Sequence, residues 1–187
     1  MDNILKLHCH KKTPAQFIQA MEVSYEISSD GLLKLRYAVD VPHSALVIAQ
    51  IKEPLRTDFL WHTTCCEVFL GIKDKPEYIE YNFSPSSQWA AYQFTDYRKD
   101  VADLDVLAVP EISIESGHAK FALEAAVMLP HKWQQAYLNT GLDVGLTVVA
   151  EEQGGKNSYW SLAHHQDEPE FHDRSCFTLP LKATGPV

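Results

Sequence analysis

Apolar and polar residues alternate with a period of two along most of this chain, the spacing of side chains on one face of a β-strand. Leu32, Leu33, Leu35, Tyr37 and Val39 run in such a stretch, entered through the turn signal Ser29-Asp30-Gly31. Cys66-Glu67-Val68-Phe69-Leu70 reads as another strand, stopped by Gly71. Tyr78 to Phe83 and Trp89 to Phe94 predict a hairpin around Ser84-Pro85-Ser86-Ser87. Ile112 to Ile114 and Ala119 to Ala125 flank Glu115-Ser116-Gly117-His118, and Leu142 to Ala150 and Tyr159 to Ala163 flank Gly154-Gly155. Cys176 to Leu181 supplies the last strand.

Aromatic and β-branched runs bounded by Gly, Pro, Asn and Ser, at spacings of about ten residues, predict an all-β fold. The expected architecture is an antiparallel β-sandwich, jelly-roll or immunoglobulin-like, of about ten strands with one or two short helices. The helices are expected at Pro14 to Met21 and at His131 to Leu138. Neither leaves room for a strand–helix–strand crossover, which argues against a parallel sheet. No repeat, low-complexity tract or linker interrupts the pattern, so residues 1–187 read as one domain with its core over about 5–181. The tail after Leu181 is expected to fray.

Composition narrows the function classes. A chain of 187 residues with 45% hydrophobic and 22% charged residues buries enough surface to fold without a disulfide or metal staple. The net charge of −9 and pI near 5.4 leave no basic surplus for nucleic acid or an anionic membrane. The first thirteen residues hold Lys and His but no long apolar run, and no stretch approaches the roughly 20 apolar residues of a membrane span. A cytoplasmic protein is therefore expected. Cys9, Cys65, Cys66 and Cys176 fit that setting as reduced thiols, since the adjacent Cys65 and Cys66 point to opposite faces of a strand. A zinc site from His62, Cys65 and Cys66 lacks the paired-ligand spacing of structural sites.

Alternation also sorts the polar residues by face. Ile79, Tyr81 and Phe83 are apolar enough to be core, which leaves Tyr78, Glu80 and Asn82 on the outer face. Glu67 and Phe69 join them if Cys66, Val68 and Leu70 pack inward. Trp89, Ala91 and Gln93 alternate with Ala90, Tyr92 and Phe94, and either set fits the outer face; with Tyr92 and Phe94 in the core, Trp89 faces a ligand. Trp61-His62 adds an aromatic on a loop. The segment from Tyr159 and Trp160 through His164, His165, Glu170, Phe171 and His172 concentrates aromatics, histidines and acids before the last strand.

Trp and Tyr beside carboxylates and amides suit sugar rings, whose apolar faces stack on aromatics while hydroxyls bond the polar groups. Against this stand ordinary structural roles: Trp and Tyr as core, Glu67 and Glu80 as solvated carboxylates, and Arg98 paired with Asp96 or Asp100. The histidine cluster raises a metal site from His164 and His172 with Glu151 or Glu170. No G-x-S-x-G elbow, P-loop, G-x-G-x-x-G or H-E-x-x-H is present, although the carboxylates leave acid/base hydrolysis open.

Taken in order, Trp61 to Leu70, Tyr78 to Pro85, Trp89 to Tyr92, Tyr97-Arg98, Tyr159 to His164 and Pro169 to His172 resemble the DOMON-like superfamily. The branch is the one similar to family 9 carbohydrate-binding modules, and the likeness spans about Leu5 to Leu181. Two positions depart from the pattern, Cys66 where an aromatic is usual and Glu170 where Asp is usual. The resemblance implies a β-sandwich that binds sugar or heme in some relatives. Related cytochrome domains hold iron through Met and His, and only Met1, Met21 and Met128 are available here, or His164 and His172 as a pair.

The leading expectation is a non-catalytic, carbohydrate- or small-glycan-binding domain. Its site combines Trp61, Glu67, Glu80, Asn82, Trp89, Arg98, Trp160, His164, Phe171 and His172. The alternatives are a heme- or divalent-metal-binding domain, neither cofactor being favoured, an enzyme on a sugar-derived substrate using Glu67, Glu80 and His164, and a module that binds a protein partner.

Overall fold

Residues 3–42 and 44–183 are described by the structure, a computed structural model. The alternating segments become strands because each can bury one row of side chains against a second sheet. In chain order they are β1 (Asn3–Lys6), β2 (His8–Cys9), β3 (Ala20–Ile27), β4 (Leu32–Asp40) and β5 (Cys65–Ile72). The series continues with β6 (Tyr78–Phe83), β7 (Trp89–Phe94), β8 (Ala102–Asp103), β9 (Glu111–Ser116) and β10 (Lys120–Met128). The helix α1 (His131–Asn139) precedes β11 (Leu142–Glu152), β12 (Lys156–Ser161) and β13 (Leu179–Leu181).

One sheet has the order β1-β3-β4-β10-β9. The other runs β2-β12-β11-β5-β6-β7-β8, with β13 paired to the start of β11. The pairings within both sheets are antiparallel, as the sequence predicts. Between the sheets lies a continuous core of residues including Val23, Leu35, Val68, Leu70, Ile79, Phe83, Leu123 and Leu146. Each such side chain contributes roughly 1.5–3 kcal/mol through burial. Tyr37 ties the layers together, its hydroxyl donating to the Glu67 carbonyl at 2.7 Å. The expected helix at 131–138 forms as α1 and closes one end, with Trp133 Nε1 donating to the Leu70 carbonyl at 3.1 Å. No helix among the described residues is long and apolar enough to cross a membrane.

The helix expected at Pro14 to Met21 does not form. The backbone N–H groups of Gln16, Phe17 and Ile18 donate to the buried Glu152 carboxylate at 2.7, 2.6 and 3.0 Å, and β3 begins at Ala20. A distant carboxylate takes the place of the i−4 carbonyls that a helix needs. β1, β2, β3 and β8 also lie outside the segments that alternation marks out. The tail expected to fray lies outside the described residues, except Lys182 and Ala183; Ala183 N–H donates to the Tyr137 carbonyl at 3.0 Å.

One feature of the larger sheet departs from an ordinary sandwich. Its outer face carries a second apolar cluster, including Cys65, Phe69, Tyr78, Ala90, Tyr92, Phe94 and Val149. Such a face is normally solvated. Here the segment 162–178 crosses it as a strap, adding Phe171 and Phe177, and Leu60 and Trp61 flank it from another loop. Two glycines seat the strap. A Cβ on Gly71 would collide with the Arg174 guanidinium, and one on Gly145 would lie 2.9 Å from the Phe177 ring. Arg174 in turn donates to the carbonyls of Lys75 and Glu77 at 3.1 and 3.0 Å.

Candidate functional site

The strap and the sheet enclose a cavity of about 390 Å³. That is the small end of the ligand-pocket range of roughly 300–1,000 Å³, the scale of a single sugar ring or a similar small molecule. Its walls are Trp61, Phe69, Tyr92, Phe94, Tyr159 and Phe171, and its polar lining is Glu67, Glu80, Arg98 and His172. Trp61 meets Tyr92 edge-on at 6.0 Å, and Phe171 meets Tyr159 at 5.9 Å.

Strand pairing places the carboxyls. Glu67 on β5 is opposite Asn82 on β6, and Phe69 is opposite Glu80, so the two glutamates are diagonal neighbours on one face. They are 3% and 5% exposed, a burial that lone charges rarely tolerate. Asn82 Nδ2 donates to Glu80 Oε1 at 2.7 Å, and Thr147 Oγ1 donates to Glu67 Oε2 at 3.0 Å. Burial raises Glu80 from its ordinary 4.5 to about 7, against the pull of Asn82 and Arg98. Burial and then the charge of Glu80 push Glu67 well above the carboxylate range. At neutral pH the pair therefore holds a proton.

A polar chain fixes the other wall. The Arg98 backbone N–H donates to the Tyr78 hydroxyl at 3.1 Å, which leaves that hydroxyl to donate to His172 Nδ1 at 2.8 Å. His172 Nε2 then faces Glu80 Oε2 at 3.8 Å, too far for a hydrogen bond. Burial and the Arg98 charge hold His172 down to about 4, so the ring is neutral at pH 7. Arg98 itself sits in the left-handed region (φ 50°), in the turn after β7. Its Nη2 and Nε donate to Glu170 of the strap at 2.9 and 3.2 Å. Burial alone would raise Glu170, but hydrogen bonds from Arg98 and the His172 backbone, with the Arg98 charge, hold it below the ordinary value. The strap is thus latched at its middle by Arg98–Glu170 and wedged near its C-terminal end by Arg174 and Phe177.

Of the residues expected to form the site, Trp61, Glu67, Glu80, Arg98, Phe171 and His172 line the cavity, and Asn82 supports Glu80 from below. Arg98 pairs with Glu170 across the cavity mouth rather than with Asp96 or Asp100. Trp89 is a correction. It packs in the inter-sheet core, while Tyr92 and Phe94 face the cavity. The reason is register: Phe83 pairs with Trp89 and Glu80 with Tyr92, and cross-strand partners share a face. Placing Phe83 inward therefore already places Trp89 inward. Trp160 is a second correction, since it pairs with the inward Val148 and its neighbour Tyr159 takes the outer position. His164 lies outside the cavity lining, donating from Nε2 to the His8 carbonyl at 2.8 Å with its ring 6.4 Å from Phe171.

Among the described residues no three His, Cys, Asp or Glu side chains gather to hold a metal ion, so His164, His172, Glu151 and Glu170 do not form the cluster their spacing suggested. Cys65 and Cys66 point to opposite faces, one in each apolar cluster. Met21 is in the inter-sheet core and Met128 in β10 of the other sheet, away from the cavity; Met1 lies outside the described residues.

A larger trough, about 1,080 Å³, runs along the outer face of the five-stranded sheet beside Ser24, Lys34, Arg36 and Glu124. Its Arg36 is spent on Glu115 and Glu124. Exposed ion pairs of this kind are an ordinary solvated face, whereas the aromatic cavity combines stacking surface with buried carboxyls.

No family model and no curated protein matches the chain by sequence. Solved structures do match by fold. A candidate carbohydrate-binding protein from Bacteroides uniformis superposes with a TM-score of 0.64 at 14% identity, over 96% of this chain and 85% of that one. A family 9 carbohydrate-binding module (CBM9) from Caldicellulosiruptor kristjanssonii, solved with cellotriose, gives 0.58 at 13% identity, over 98% and 84%. A structure of a CBM9 from the same organism with glucose gives 0.56 at 12% identity, over 97% and 86%. At these identities the likeness is one of architecture: the chain has the β-sandwich fold of carbohydrate-binding proteins, CBM9 modules among them.

Proposed function

We propose that this protein binds a carbohydrate of about one ring in the cavity beneath the strap, without transforming it. The observation that carries the reading is the cavity itself, in which aromatic walls offered by Trp61, Tyr92, Tyr159 and Phe171 stand around buried carboxyls. A pyranose needs apolar faces to stack on and fixed hydrogen-bond partners for its hydroxyls. Glu67, Glu80, Arg98 and His172 supply those partners within the same enclosure. The fold shared with carbohydrate-binding proteins supports the reading, and the motifs that resemble the DOMON-like branch near CBM9 agree with it. A cytoplasmic setting belongs to the same proposal.

Calorimetric titration with a panel of hexoses, hexosamines, uronic acids and disaccharides tests it. Saturable binding that is abolished by Trp61→Ala is expected. Absence of binding by every sugar up to tens of millimolar would refute it.

An acid–base role has one observation in its favour, the Glu80 carboxyl at about 7 beside the neutral His172 ring. The same titrations separate the two readings, because an enzyme would consume its sugar and release product that chromatography detects.

A further inference from the structure

Two buried carboxyls in the cavity each keep an oxygen that no protein donor reaches. Arg98 is the only guanidinium in the lining, and its Nε and Nη2 are committed to Glu170 at the rim. His172 Nδ1 accepts from the Tyr78 hydroxyl, its Nε2–H stays 3.8 Å from Glu80 Oε2, beyond hydrogen-bond reach, and the Tyr92 hydroxyl donates to Asp58 at 2.7 Å. On the other side, Glu67 Oε1 and Glu80 Oε2 have no hydrogen-bond partner within the described protein, although both residues are more than nine-tenths buried and line the cavity. Diagonal neighbours on paired strands have Cα atoms roughly 7–8 Å apart, so one ammonium group on that face can reach both carboxyls. Around them stand Trp61, Tyr92, Tyr159 and Phe171, and aromatic faces attract cations as well as sugar rings.

Resting on the carbohydrate reading, we propose that the ligand is an amino sugar, its protonated amine held between Glu67 and Glu80 and its ring stacked on the aromatic walls. A neutral hexose leaves one carboxyl oxygen facing only hydroxyls. A sugar acid adds negative charge beside a carboxyl pair that already carries some at neutral pH. A protonated amine offers three donors and the missing positive charge in one group. The N-acetyl derivative removes that charge and adds a carbonyl, so it discriminates charge from ring shape.

Calorimetry on the full chain at neutral pH with glucosamine, galactosamine and mannosamine, each beside its N-acetyl derivative and its parent hexose, decides the matter. At least one amine is expected to bind about tenfold or more tightly than both uncharged counterparts, the equivalent of a charge-assisted hydrogen bond at its weaker end. The preference should shrink in Glu67→Gln and in Glu80→Gln, and the wild-type comparison stands even if a variant fails to fold. If a parent hexose or N-acetyl sugar binds as tightly as its amine, the amino-sugar assignment is overturned while carbohydrate binding stands. If no sugar in the panel binds, carbohydrate binding is overturned and this assignment falls with it.

Discussion

Glu80→Gln should make the protein more stable, and by an amount that depends on pH. In the folded chain the Glu80 carboxyl is raised from 4.5 to about 7, chiefly by burial. At roughly 1.36 kcal/mol per unit this corresponds to about 3 kcal/mol. The folded value lies above the unfolded one, so the contribution is fully present below pH 4.5 and is lost as pH rises through about 7. Over that window the unfolded chain releases the proton freely while the folded chain must ionise a buried group beside Glu67. Glutamine keeps the oxygen that accepts from Asn82 Nδ2 and removes the titration. Neutralising Glu80 also relieves Glu67, whose carboxyl its charge pushes upward, which adds in the same direction. Urea denaturation of both proteins at pH 5 and pH 8 measures the effect. The variant's advantage should be small at pH 5 and grow by about 2–3 kcal/mol at pH 8. A gap that does not change with pH, or a variant less stable than wild type at pH 8, would refute the reasoning. A stabilising substitution at a buried carboxyl is what a site kept for binding rather than for folding predicts.

Other residues separate site from scaffold. Trp61→Ala should remove ligand binding in calorimetry with little change in melting temperature, whereas Trp89→Ala, in the core, should cost about 3–5 kcal/mol in chemical denaturation. Glu152→Ala leaves three backbone N–H groups without their acceptor and should destabilise by about 3 kcal/mol or more, read in the same denaturation experiment. Gly71→Ala forces Arg174 out of its seat and should cost about 1–3 kcal/mol, with hydrogen exchange rising first in the strap. Arg98→Ala breaks a partly exposed latch, so global stability should move by no more than about 1 kcal/mol while ligand dissociation, followed by stopped flow, accelerates.

The sandwich is legible because period-two alternation and turn residues act locally. The hairpins around Ser84–Ser87 and Gly154-Gly155 needed only their own segments to be recognised. Face assignment worked for Glu67, Glu80 and Asn82 because Ile79, Tyr81 and Phe83 make one side of β6 unmistakably apolar. It failed at Trp89, where both sides of β7 carry apolar residues, and at Trp160, where each side of β12 carries one aromatic among polar residues, so register with the neighbouring strand decides. The second apolar cluster is the deeper reason. An outer face carrying Phe69, Tyr92 and Phe94 reads as core unless the strap that covers it is known, and the strap's anchors at Gly71, Gly145 and Arg98 are distant in sequence. The helix expected at Pro14 to Met21 fails to form for the same reason, since amides of that segment are claimed by Glu152 more than a hundred residues away.

The central claim is that a sugar enters the aromatic cavity under the strap. Backbone and indole chemical-shift mapping, with the sugar that calorimetry ranks first, addresses it directly. The indole of Trp61 and the amides of Glu80, Arg98 and residues 169–172 should move together at saturation, with Trp89, Trp160 and the trough residues Ser24 and Arg36 unmoved. Shifts confined to the outer face of the five-stranded sheet, or none with any sugar, would contradict the account.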